Sequence, residues 1–243
     1  MSHADRGRGG GRSHPSPDAS RMTDTRAVLL AWNAAPGPVL RAWMPLALAV
    51  AAALLTATWL VALATMPDPT PLGFPGLGRT PGDAAAIGYI LVGNSLVLAL
   101  HALACVAGYL AGRSLPEEAQ RYSGLMRVIH EKAGPLAMTF VTAATIFSLV
   151  TQAYELGGAA STLAEQIGVT PGVLMLGLLP HALPELVALF LPLAAWVVAA
   201  RRERWHELLA ATAVTVAIAI PVLVLTALIE VHVTPEVLRG LAG

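Results

Sequence analysis

His181 and Glu185 stand four residues apart in Leu179-Pro180-His181-Ala182-Leu183-Pro184-Glu185-Leu186, inside an apolar run from Pro171 to Ala200. Side chains four apart on a helix share a face, and a run of that length crosses a bilayer. An imidazole and a carboxyl at mid-span are costly in hydrocarbon. They are expected to face protein or enclosed water, where such groups relay protons, bind ions or join helices by hydrogen bonds. Asn94 and His101, seven apart, share a face of another apolar run, and Glu230 stands at the end of a third. Pro180, Pro184 and Pro221 each remove a backbone hydrogen bond within these runs and are expected to bend them. Two His and one Glu would also make a zinc set with an open position, but His181 and Glu185 supply only two ligands and no second acid is evident as a base. No metal and no other cofactor is therefore assigned. Cys105 is the single cysteine, so an intramolecular disulfide is excluded, and it reads as a small packing residue.

The elements that must position these groups are helices in a membrane. Apolar residues make up 56% and charged residues 12%, against roughly 25% charged in a soluble domain. The fold class expected is all-α, a polytopic integral membrane protein of five transmembrane helices with short amphipathic interfacial helices. Residues 1–25, rich in Gly, Ser, Pro and Arg, read as a disordered cytoplasmic tail. Residues 26–41 read as an interfacial segment with Trp32 at headgroup level, broken by Pro36-Gly37-Pro38. The membrane domain fills 42–243, with spans at 42–66, 86–112, 135–154, 171–200 and 206–230. Ala62-Leu63-Ala64 resembles a signal-peptidase site, but the apolar run is longer than a signal core, so an uncleaved anchor is expected.

Between the spans, residues 67–78 read as a structureless loop. Ser114 and Glu117 look like the cap of an amphipathic helix over 117–133, with Tyr122, Leu125, Met126, Ile129 and Ala133 on one stripe. It is expected to lie flat on the membrane, dock a partner or pack under its own bundle. Thr139, Thr142 and Thr145 each reach a carbonyl one turn back, and Gly157-Gly158 is expected to end the third span. Gly168 closes a short helix, and Thr170-Pro171 opens the fourth span.

Basic residues set the orientation. With the N-terminus inside, thirteen lie on inside segments, and only Arg79 and Arg239 lie outside. The positive-inside rule then puts the N-terminus in and the C-terminus out. Counting 1.5 Å per residue from Ile87 and Gly172, Asn94 and His181 lie about 10 to 14 Å deep, and His101 and Glu185 about 20 Å. Two rungs are expected, Asn94 with His181 and His101 with Glu185, with Glu230 closing the top.

Gly93-Asn94-Ser95 with Gly108, then Pro180-His181-x-x-x-Glu185, then Leu228-Ile229-Glu230-x-x-x-Thr234-Pro235, together resemble the stage II sporulation protein M family of bacterial membrane proteins. The resemblance covers about 45–237. It departs where the family has a second Asn (here Ser95) and a Gly after the His (here Ala182). It implies a multi-pass protein of the bacterial cytoplasmic (inner) membrane, and a role like that of the founding member, which anchors peptidoglycan-degrading enzymes during engulfment.

The function expected is a non-enzymatic scaffold that anchors or recruits envelope-remodelling or other membrane partners. The alternative is a transporter or channel for protons, metal ions or a small solute, and a third reading is an intramembrane metal hydrolase. The expected partners are the lipid bilayer and other membrane or envelope proteins, with a homo-oligomer left open. Zero net charge and the lack of a basic aromatic surface exclude a nucleic-acid partner. No phosphate-binding loop and no Gly-x-Ser-x-Gly elbow is present, which points away from common enzymes. A topology reporter fused after Gly243 is expected to be active outside the cytoplasm, and activity inside alone reverses the orientation.

Overall fold

The computed structural model describes residues 17–78 and 80–242, all of it helix and connecting loop without a strand. The helices are α1 (Pro17–Ala34), α2 (Pro36–Ala64), α3 (Ala84–Tyr109), α4 (Leu115–Ala119), α5 (Gly124–Ile167), α6 (Pro171–Arg201), α7 (Leu208–His232) and α8 (Thr234–Ala242). A π-helical turn, Leu110–Ser114, joins α3 to α4, and a 3-10 turn, Trp205–Glu207, precedes α7. Five of these segments are long and apolar enough to cross a membrane: α2, α3 with its extension, α5, α6, and α7 with its extension. The protein is a multi-pass helical membrane protein.

Helix α6 is the centre, packed against α2, α3, α7 and α8. Within its apolar stretch 61% is buried inside the protein, against 6% for α5. Its buried Phe190, Leu191, Leu193 and Trp196 meet Trp43, Ala47 and Ala51 of α2, Cys105 and Tyr109 of α3, and Leu208 and Ala211 of α7. Small residues at these contacts let backbones approach, which is how helices gain packing energy where lipid is as apolar as leucine. Gly108 shows the limit of that approach, since a Cβ there would lie 2.6 Å from Trp196 Nε1.

Several boundaries differ from those expected. Residues 1–16 of the expected tail lie outside the described residues, while 17–25 belong to α1. Only Ala35 separates α1 from α2, so Pro36-Gly37-Pro38 starts the first span rather than breaking the chain. Ser114 caps nothing, because the π-helical turn carries the chain from α3 into α4 without exposing a helix start.

The helix expected over 117–133 is cut at Gln120–Ser123. Its larger part is continuous with the third span through Pro135. That span does not stop at Gly157-Gly158 either. Gly157 is where α5 crosses α2, and a Cβ there would meet Val61 at 2.5 Å and the Thr58 carbonyl oxygen at 2.9 Å. The glycine serves close packing instead of termination.

Other local expectations hold. Thr170 accepts the Val173 N–H at 3.3 Å and caps α6, and Gly168 closes α5 at φ 74°. Thr139, Thr142 and Thr145 donate to Pro135, Met138 and Val141 carbonyls at 2.8 to 2.9 Å. The 65–83 loop lacks regular structure but is tied down. Thr162 Oγ1 accepts the Asp68 N–H, Gln166 bonds Leu72 and Thr70, and Ser161 donates to the Thr65 carbonyl. Gly76, at φ 74°, sits against Val231 and Pro235, and Arg239 donates to its carbonyl at 2.8 Å.

Substituting Gly157 by Leu is expected to cost about 1–3 kcal/mol by overpacking, read as a lower Tm in detergent. Gly158→Ala meets nothing within 4 Å. It is expected to be neutral or to stabilise by up to about 1 kcal/mol through helix propensity.

Candidate intramembrane polar site

Helices α3, α6 and α7, with the α7–α8 corner, bring the expected polar residues together in a register different from the one that depth counting gives. His101, 2% exposed, donates from Nδ1 to the Leu189 carbonyl oxygen at 2.9 Å. A carbonyl only accepts, so the proton sits on Nδ1. Its ring also lies 5.3 Å from that of Phe190. One turn further along both helices, Cys105 Sγ donates to the Pro192 carbonyl at 3.0 Å. Pro192 withholds the N–H that the Ala188 carbonyl would receive, and the turn around it is where neighbouring donors enter. Two side chains of α3 therefore support the proline-bearing segment of α6.

His181, 6% exposed, is bonded across to Thr234 at the start of α8, with Nδ1 2.9 Å from Oγ1. Thr234 Oγ1 also lies 3.2 Å from the Ile229 carbonyl. A hydroxyl has one proton, so the consistent chain runs from His181 N–H to Thr234 Oγ1 and from Thr234 O–H to Ile229. The Glu185 carboxyl faces Thr226 of α7 and Asn94 of α3. Glu230, one turn beyond Thr226, is near enough to Glu185 to feel its charge.

The expected rungs are thus corrected by one helical turn. Asn94 stands level with Glu185 instead of His181, and His101 with Leu189 instead of Glu185. Depth counting assumed that both helices start level and run straight, and the prolines and crossing angles of α6 defeat that assumption. Pro180, Pro184 and Pro221 lie on exposed faces of helices that remain continuous through them. Glu230 belongs to the Glu185 group and does not stand alone at the top.

Two polar atoms in this group are left over. Asn94 Nδ2 and Glu185 Oε2 are shielded from solvent and have no hydrogen-bond partner among the described residues. The zinc set of the hydrolase reading does not assemble. His101 and His181 turn to different partners, and among the described residues no three His, Cys, Asp or Glu side chains gather as a metal-holding group.

Thr226 has no place among the residues that the sequence marks, and Thr234 enters there only as part of the Glu230-x-x-x-Thr234-Pro235 motif. Both lie four residues from Glu230, on the same face of the helix or its continuation, and that spacing is the signal that could have found them. Nothing in the sequence marked the Leu189 and Pro192 carbonyls, since every residue has one. Comparison with known families, curated proteins and solved structures finds no match to this chain.

A double-mutant cycle of His181→Ala and Thr234→Val is expected to show about 1 kcal/mol of coupling, the worth of one buried hydrogen bond. His101→Phe and Glu185→Gln, which share no partner, are expected to add within about 0.5 kcal/mol. Thermal unfolding of the four variants and two doubles in one detergent reads both.

Proposed function

We propose that the protein is a non-enzymatic membrane scaffold that holds the transmembrane helix of a partner protein, a role in line with the resemblance to the stage II sporulation protein M family. The observation that carries this reading is the groove between α2 and α5. It has a volume of about 640 Å³ and is walled by Ala49, Ala53 and Ala57 on one side and Leu149, Val150 and Tyr154 on the other. Alanines at four-residue steps form a flat strip on which another helix can lie closely, the pattern that drives helix association in lipid. Ala49 and Ala53 of the strip are exposed, Ala57 is partly buried against the protein's own core, and Ala47 and Ala51 lie within that core.

Helix α5 strengthens the reading. Forty-four residues extend about 66 Å, roughly twice the hydrocarbon thickness. Its N-terminal turns leave Leu125, Met126 and Ile129 half or more exposed. Gly134, further along, packs on Ala111 of the π-helical turn, and α4 packs along α5 as well, yet about 66 Å of helix is more than the hydrocarbon covers. Apolar surface beyond the lipid calls for a protein cover. In this reading the α1 end lies in the cytoplasm of a bacterial cell and the membrane is the inner one.

Ala53→Leu fills the groove from an exposed position. It is expected to leave Tm unchanged while lowering partner recovery from native membranes at least about tenfold, as a mismatch of 1.4 kcal/mol or more would. Unchanged recovery, or recovery of no membrane protein by the unmodified chain, overturns the proposal.

The second reading, proton or small-cation movement, rests on Glu185, Glu230, Asn94 and Thr226 sharing one intramembrane site with unsatisfied polar atoms. Proteoliposomes then show a flux that Glu185→Gln and Glu230→Gln each abolish, and absence of flux in the unmodified protein removes the reading.

A further inference from the structure

Helix α1 is not one of the five spans, yet it lies against α7 and the 3-10 turn before it. Where α1 meets α2 the chain turns at Ala35, and the elbow stands off from α7 to leave a cavity of about 440 Å³. Its walls are apolar, from Leu29 and Trp32 of α1, Leu40 of α2, and Val214 and Ile218 of α7. Val214 and Ile218 are six and ten residues into α7 from Leu208, about 9 and 15 Å along the axis. The cavity therefore starts near the membrane surface and runs inward beside α7. Trp32, packed edge-on against Trp43 with ring centroids 5.3 Å apart, holds the elbow at the depth where indoles settle between headgroup and chain.

One ionisable group lines this cavity, Arg26, with Asn33 the other polar side chain. Arg26 is exposed and has no ion pair or hydrogen bond among the described residues. The nearby acid Asp24 is taken by Arg113, at 2.8 Å. An uncompensated guanidinium at one end of an apolar channel, at interfacial depth, is complementary to a molecule with an anionic head and a hydrocarbon tail. Guanidinium binds phosphate with paired, charge-assisted hydrogen bonds.

We propose that the α1–α2 elbow and α7 form a binding site for one anionic glycerophospholipid, with the headgroup phosphate on Arg26 and Asn33 and an acyl chain along Val214 and Ile218. The bound lipid takes the place of a sixth helix on that side of α7. It ties the α1 arm to the five-span domain and makes the position of that arm depend on the charge of the leaflet beside it. The α2/α5 groove is a different surface, so this site stands apart from the scaffold reading.

The full-length protein, purified in a neutral detergent, is titrated with phosphatidylglycerol or phosphatidylcholine of the same chains and measured by native mass spectrometry. One retained phosphatidylglycerol per chain is expected, favoured over phosphatidylcholine by about fivefold, the weight of one basic side chain at an anionic surface. Arg26→Gln, at an exposed position, removes that preference without loss of Tm. Ile218→Trp, which fills the channel, removes retention of both lipids, and Leu40→Trp does the same from the opposite wall if the first variant folds poorly. Equal retention of the two lipids, or a preference that survives Arg26→Gln, overturns the proposal and leaves only annular lipid.

Discussion

Within hydrocarbon, every peptide group must find its partner inside the protein, and α6 breaks that rule most severely. Pro180, Pro184 and Pro192 each remove an N–H from a helix that is otherwise the most buried in the molecule. Around the buried proline, α3 adds polar bonds to neighbouring carbonyls. His101 and Cys105 of α3 donate into the turn around Pro192, at the Leu189 and Pro192 carbonyls. Pro180 and Pro184 are turned to the exposed side, where the ring meets no tightly packed neighbour. Polar bonds thus add to apolar contact in holding α3 beside α6, on which α2 and α7 also pack.

Apolar contact in a bilayer has no water to escape from, so its energy comes from closeness. That explains why the core is built from alanine and glycine around a few large rings. Trp196 lies against Gly108, Trp43 against the alanines of α6, and Gly157 of α5 against the backbone of α2. The same logic makes the outward alanine strip on α2 informative. A surface already shaped for close approach, next to a helix of which only 6% of the apolar stretch is buried, is a surface that another helix can use.

At the far end, the 65–83 loop, the end of α5 and the α7–α8 corner are stitched into one unit by side-chain to backbone bonds. The His181–Thr234 bond connects this unit to the middle of α6. Glu185 and Glu230 stand four residues from His181 and from Thr234 on the same chain segments. The α1 arm at the other end has a corresponding tie, Arg113 bonded to Asp24 and Glu117. Each end of the bundle is thus closed by polar contacts, while the middle depends on packing and on the proline turn.

Sequence by itself determined the membrane class, the number of spans, the N-terminal cap at Thr170 and the C-terminal cap at Gly168. Those follow from composition, from runs of about twenty apolar residues, and from local chemistry that acts within one helical turn. Tertiary structure alone decided the rest. Gly157 reads as a stop in the sequence because only the crossing with Val61 and Thr58 reveals a packing role. The break near residue 120 and the continuity of α5 through Pro135 depend on what the helix packs against, which no window of sequence contains. The rungs came out one turn away from the depth count because register between two helices is a property of their crossing, and the donors that settle it, His101 and Cys105, bond to backbone carbonyls that every residue carries.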